Sequence, residues 1–137
     1  TSTVFSIGGG ETNGETHVAY CFHSVEGFSK VGSYVGNGSA DGTYVALNFR
    51  PAWILWKKSS ATAGWFLMDS ARDTFNVANT FLRPNASDAE GTAANSTADF
   101  LSNGFKLRGT GGDVNTSGAT YIYLAFAEAP FKYANAR

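Results

Sequence analysis

Residues 120–131 read TYIYLAFAEAPF, and this stretch decides the fold. Its Tyr, Ile, Leu and Phe suit a pleated, half-buried strand, and neither Gly nor Pro interrupts it before Pro130. Successive side chains in a strand point to opposite faces, so Tyr121, Tyr123, Ala125 and Ala127 share one face and Ile122, Leu124, Phe126 and Glu128 the other. The second set carries no polar group until Glu128. Ile122, Leu124 and Phe126 are therefore expected in the core, joined there by Trp53 and Leu55. The first set, with its two phenols, suits a surface that is half apolar and still able to hydrogen-bond, such as a subunit contact or a sugar platform, or else a face packed on a loop.

The same wording recurs near the other end of the chain. Residues 16–28 read THVAYCFHSVEGF, with Thr16, His17, Val18 and Phe22 answering Thr120, Tyr121, Ile122 and Phe126. Upstream of the later copy stand Gly104-Phe105-Lys106-Leu107 and a polar loop containing Asn115; upstream of the earlier one stand Val4-Phe5-Ser6-Ile7 and a similar loop containing Asn13. From Phe5 to Thr16 is 11 positions and from Phe105 to Thr120 is 15, so the first copy has a loop four residues shorter. The chain is expected to be a single β domain over 1–137, in which 1–28 resembles the end of a preceding repeat and 29–137 is a full repeat unit. The first copy is expected either to pair within its own chain or to be donated to a neighbouring one, because a strand this apolar recruits a partner in water.

Turn signals divide the remainder into short strands. Residues 3–7 and 17–23 are predicted strands around the glycine-rich turn 8–14. Next comes 28–35, FSKVGSYV, with Gly32 marking a bulge or a close-packing point. Strands 43–49 and 52–57 are separated by Arg50-Pro51, and the second, apolar almost throughout, is expected at the centre of a sheet. Strands over 65–69, 99–101, 105–108 and 120–127 complete the set, with 69–81 and 84–97 as loops. About eight or nine short strands with little or no helix specify an all-β antiparallel sandwich or jelly-roll-like arrangement.

Composition narrows the function classes. With 10 Lys+Arg against 11 Asp+Glu, the chain lacks the basic excess that a phosphate-tracking surface needs, so nucleic acid is not an expected partner. The single cysteine, Cys21, excludes an intrachain disulfide and is expected as a buried thiol. No stretch approaches the roughly 18 to 20 apolar residues that cross a bilayer, and no membrane insertion is expected. The start at Thr1 without a Met is expected of a processed, truncated or internal fragment, so the missing signal peptide says little about export.

The strings VAYCFHSVEGFSKVGSYVGNGSADGTYV (18–45), FRPAWILWKK (49–58), GWFLMDSARD (64–73), DFLSNGFKLRG (99–109) and TYIYLAFAEAPFKYANAR (120–137) resemble a repeat-type domain of tail-fibre and virion-surface proteins of marine bacteriophages. The resemblance covers essentially the whole chain and is strongest at 49–53, 102–107 and 125–137. That family has no assigned catalytic residues. The resemblance implies a setting instead: a non-enzymatic appendage domain on the virion surface, extracellular, without a cofactor.

Candidate chemistry is thin. His17, Cys21 and His23 alternate onto one face, a reasonable zinc set, but in an extended strand 17 and 21 lie about 13 Å apart at roughly 3.3 Å per residue. Only Cys21 and His23 remain as a weak pair. Asn37, Ser39 and Asp41 place oxygen side chains at alternate positions before Gly42, as calcium loops do, yet Asp41 is the only carboxylate and Asn48 stands where an acid would close the loop. Glu26, Asp69 and Asp73 offer carboxylates for a glycosidase, although Arg72 between the aspartates points to a structural ion pair.

Two functions fit these residues. One is host-surface attachment, to saccharide or protein, through loops and exposed aromatics; Tyr44, Trp56, Trp65, Tyr121 and Tyr123 are its expected contacts. The alternative is a structural repeat that stacks or trimerises into a fibre, with other copies of itself as partners and no ligand of its own.

Overall fold

The structure is a computed structural model and describes residues 16–129. The predicted strand over 3–7 and turn over 8–14 lie outside the described residues. Within them the domain is all-β, with nine short strands: β1 Ser29–Val35, β2 Tyr44–Ala46, β3 Pro51–Lys58, β4 Trp65–Asp69, β5 Thr80–Phe81, β6 Gly91–Thr92, β7 Ala98–Leu101, β8 Gly104–Leu107 and β9 Thr120–Ala127. They form antiparallel sheets in the orders β1-β9-β3-β4, β2-β8-β7 and β5-β6. The apolar run of β3 is central, as its composition dictates, and β9 lies between β1 and β3. Residues 16–24, predicted as strand over 17–23, form none.

The two larger sheets meet on an aromatic core. Phe105 of β8 reaches the four-stranded sheet, with ring centroids 5.5 Å from Trp56, 5.6 Å from Tyr123 and 5.9 Å from Tyr34, and it is fully buried. Edge-on contacts of this kind add to the burial term, which is itself about 1.5–3 kcal/mol for each large apolar side chain. Gly32 is the close-packing point its sequence context predicts: a Cβ there would sit 2.8 Å from the Tyr123 hydroxyl, on the strand directly opposite.

The expected orientation of β9 is reversed. Tyr121, Tyr123, Ala125 and Ala127 face the core, whereas Ile122 is exposed and Leu124 and Phe126 are half-buried. Trp53 and Leu55, also expected inside, are half-buried, and their neighbours Ile54 and Trp56 fill the interior. Hydrogen bonding explains the inward tyrosines. The Tyr121 hydroxyl donates to the Gly112 carbonyl and accepts from the Thr116 N–H, both at 2.9 Å, so its polar end is satisfied by the loop that precedes β9. Tyr34 donates to the Val114 carbonyl at 2.8 Å in the same way. The small Ala125 and Ala127 complete that face beside the bulky phenols.

A candidate interaction face on the outer sheet

With the phenols inside, the outer face of the four-stranded sheet is left apolar. Register puts Val31, Leu124, Leu55 and Leu67 directly opposite one another, an aliphatic row crossing all four strands. Phe126 and Trp53 stand opposite each other on one side of that row, with ring centroids 5.6 Å apart. Ile122 and Lys57 are opposite each other on the other side, with Trp65 beyond. The Lys57 ammonium lies 5.4 Å from the Trp65 ring centroid and donates to the Ala63 carbonyl at 2.7 Å, so the charge is turned to the edge. The face encloses an open groove of about 810 Å³.

Two residues of the segment 16–24 reach its rim. Phe22 packs edge-on against Phe126 at 6.0 Å, and Tyr20 also lines the groove. The segment leaves the edge of β1 at Ser24, whose hydroxyl accepts from the Val31 N–H at 3.1 Å. Behind it the turn 25–28 closes on Gly27 at φ 70°, and the Phe28 N–H donates to the Val25 carbonyl.

The candidate contacts drawn from the sequence are scattered by this arrangement. Trp56 and Tyr121 are fully buried and belong to the core; Tyr123, nearly buried, also lies against the outer groove beside Gly32. Burial alone raises the pKa of Tyr123, which keeps that phenol neutral. Trp65 is half-buried at the end of the outer face, and Tyr44 is exposed on β2, in the other sheet.

The calcium-loop candidates are spent on other bonds. Asn37 Oδ1 accepts from the Ser39 N–H and from Asn115 Nδ2, Ser39 Oγ accepts from the Asp41 N–H, and the Asp41 carboxylate pairs with Lys106 at 2.5 Å. That Lys106 hydrogen bond and charge hold Asp41 below the usual carboxylate range. Cys21 is exposed, not buried as expected, and His23 is exposed beside it. No group of three or more His, Cys, Asp or Glu side chains suited to a metal occurs among the described residues. The two aspartates of the glycosidase alternative are loop anchors. Asp69 accepts from the N–H groups of Ala71 and Arg72 and pairs with Arg72, and Asp73 accepts from the N–H groups of Asn79 and Thr80 and the Thr80 hydroxyl.

Asn115 has a role that composition did not signal. It is fully buried, accepts from the Asn37 N–H, and donates to Asn37 Oδ1 and the carbonyls of Ser39 and Gly109, so it ties the 36–41 loop to the loop before β9. The outer face was missed for a different reason. Its clue was a strand apolar on both sides, and alternation separates two such faces without saying which is inside.

The family model described as a domain of unknown function, DUF7483, matches residues 1–130. No curated protein and no solved structure matches the chain.

Proposed function

We propose, from the premise that the chain belongs to the DUF7483 family of domains of unknown function, that it is a non-enzymatic assembly unit of a virion appendage which docks other units of its own fold through the outer face of the four-stranded sheet. The observation that carries this reading is the aliphatic row of Val31, Leu124, Leu55 and Leu67, flanked by Trp53, Phe126 and Ile122, with the acidic side chains at the margin of the face held in ion pairs, Asp69 with Arg72 and Glu128 with Arg50. A sugar site needs hydrogen-bonding groups beside its stacking rings, and this groove is lined almost wholly by apolar side chains. The virion setting comes from the resemblance of the sequence to phage tail-fibre and virion-surface repeats.

Size sets the strength. Four strands about 4.8 Å apart, with five to eight residues each at about 3.3 Å, give a face of roughly 400–500 Å². Two such faces bury about 800–1,000 Å² in total, below the roughly 1,200–2,000 Å² of a standard stable interface, so a single unit pairs weakly and an array gains by multivalency.

Sedimentation equilibrium tests the proposal. The expected result is self-association appearing between about 10 μM and 1 mM, the range of affinity such an area supports. The double variant Ile122→Lys, Leu124→Lys is expected to stay monomeric over the same range with its cooperative melt retained. A wild-type chain that remains monomeric throughout would overturn the proposal. The second reading, attachment to host-surface saccharide or protein, is favoured by the exposed ring of Tyr44; a complex formed only on adding host-cell polysaccharide would install it instead.

A further inference from the structure

We infer that residues 16–22 are a β9-type strand whose place is the slot between β1 and β3 of a second unit of this fold, so that successive units are joined by a shared strand. The inference rests on reading the chain as a repeat unit, but not on the outer face.

Three observations meet here. First, residue by residue, 16–22 follow 120–126: Val18, Tyr20 and Phe22 stand where Ile122, Leu124 and Phe126 form the outward set, and Ala19 and Cys21 stand where Tyr123 and Ala125 point inward. His17 replaces Tyr121, whose hydroxyl bonds the loop before β9; the echoed loop is four residues shorter, and an imidazole supplies a donor and an acceptor on a shorter arm. Second, this strand-like sequence is in no strand here, and Val18, Tyr20 and Phe22 are 74%, 81% and 53% exposed. An apolar strand left unpaired in this way is unstable in water. Third, the slot that its sequence answers is already filled in its own unit. The chain's β9 already pairs with both β1 and β3 along its length, and Ser24 bonds the free edge of β1 at Val31. The vacancy such a strand fits therefore belongs to another unit, and its outward apolar triad would give that unit the same outer face.

Cys21, the chain's one cysteine, reports the difference. Its counterpart Ala125 is fully buried and lies opposite Lys30 and Ile54. Because Phe5 answers Phe105, Thr1 answers Leu101. A second copy of residues 25–100, fused ahead of the complete chain, thus carries β1 to β6 and most of β7 but no β9 of its own, and places residues 16–22 after it as the echo places 120–126. The control fusion carries a second copy of residues 25–129, whose slot is filled by its own β9. Native-state labelling with a thiol reagent is the readout, with the calorimetric unfolding enthalpy as a second measurement.

In the first fusion Cys21 is expected to react at least about 100-fold more slowly than in the single chain, since exchange then requires opening of a sheet, and the enthalpy is expected to rise towards double. In the control Cys21 should keep the reactivity of the single chain. Equal reactivity in both fusions, protection in both, or a control that folds its added unit while the first fusion does not, would each overturn the inference. Weak face-to-face docking, tested by sedimentation, stands or falls separately.

Discussion

Tyr34 shows how a single polar atom fixes an inward aromatic. Its hydroxyl is buried against the Val114 carbonyl, and desolvation, with a smaller contribution from neighbouring Tyr121, raises its pKa well above the ordinary phenol value. An unfolded tyrosine ionises near pH 10. Above that pH the unfolded chain releases a proton that the folded chain retains, so the stability contributed by neutral Tyr34 is complete below about pH 10 and is lost as pH rises towards the folded pKa. Tyr34→Phe should therefore do two things. At neutral pH it should cost about 1–3 kcal/mol, the penalty of leaving a buried carbonyl without its donor. Above about pH 10 its stability should fall less steeply with pH than the parent's, with a residual slope from Tyr123, whose pKa is also raised. Urea denaturation at neutral and alkaline pH measures both, and parallel stability curves for the two proteins would refute the assignment.

At the scale of the element, β9 separates what local sequence specifies from what it leaves open. Its bounds were legible because strand-forming residues run unbroken from Thr120, and β4 and the central position of β3 were legible for the same reason. Which face turned inward was not. Both faces are apolar, and the choice depends on partners outside the strand: Phe105 of the other sheet for Tyr123, and the preceding 112–116 loop for the Tyr121 hydroxyl. The same reversal in β3 goes with a register shift between Pro51 and Trp53 against β9, which no local propensity encodes. Residues 16–22 are the complementary failure, since their strand propensity is real but the slot they resemble is already filled. The orientation of β9 has a direct test in paired substitutions. Tyr121→Ala should cost about 3–5 kcal/mol because a fully buried ring leaves a cavity. Ile122→Thr, on the outward face with 41% exposure, should cost less than about 1 kcal/mol. If Ile122→Thr proved the costlier, the inward face would be the one first expected from the sequence.

For the molecule as a whole, the topology dictates how it folds. Most of the large sheet is assembled from strands far apart in the chain: β1 pairs with β9 along Ser29 to Val35, and β3 pairs with β9 from Pro51 to Lys58. Only β3 with β4 and β7 with β8 are sequence neighbours in the two larger sheets. Closing the long loops that bring β9 between β1 and β3 costs entropy before any cross-strand contact repays it. Domains dominated by such non-local pairing fold in milliseconds to seconds, against microseconds to milliseconds for helical bundles. The chain has no disulfide to shorten those loops. Trp56, fully buried and in contact with Phe105 from the opposite sheet, makes intrinsic fluorescence a monitor of the step at which the sheets meet. Stopped-flow refolding from urea should therefore show a main phase of about 1–1,000 s⁻¹, in the range of small all-β domains. A main phase complete within about 100 μs would mean that local contacts, and not the insertion of β9, limit folding.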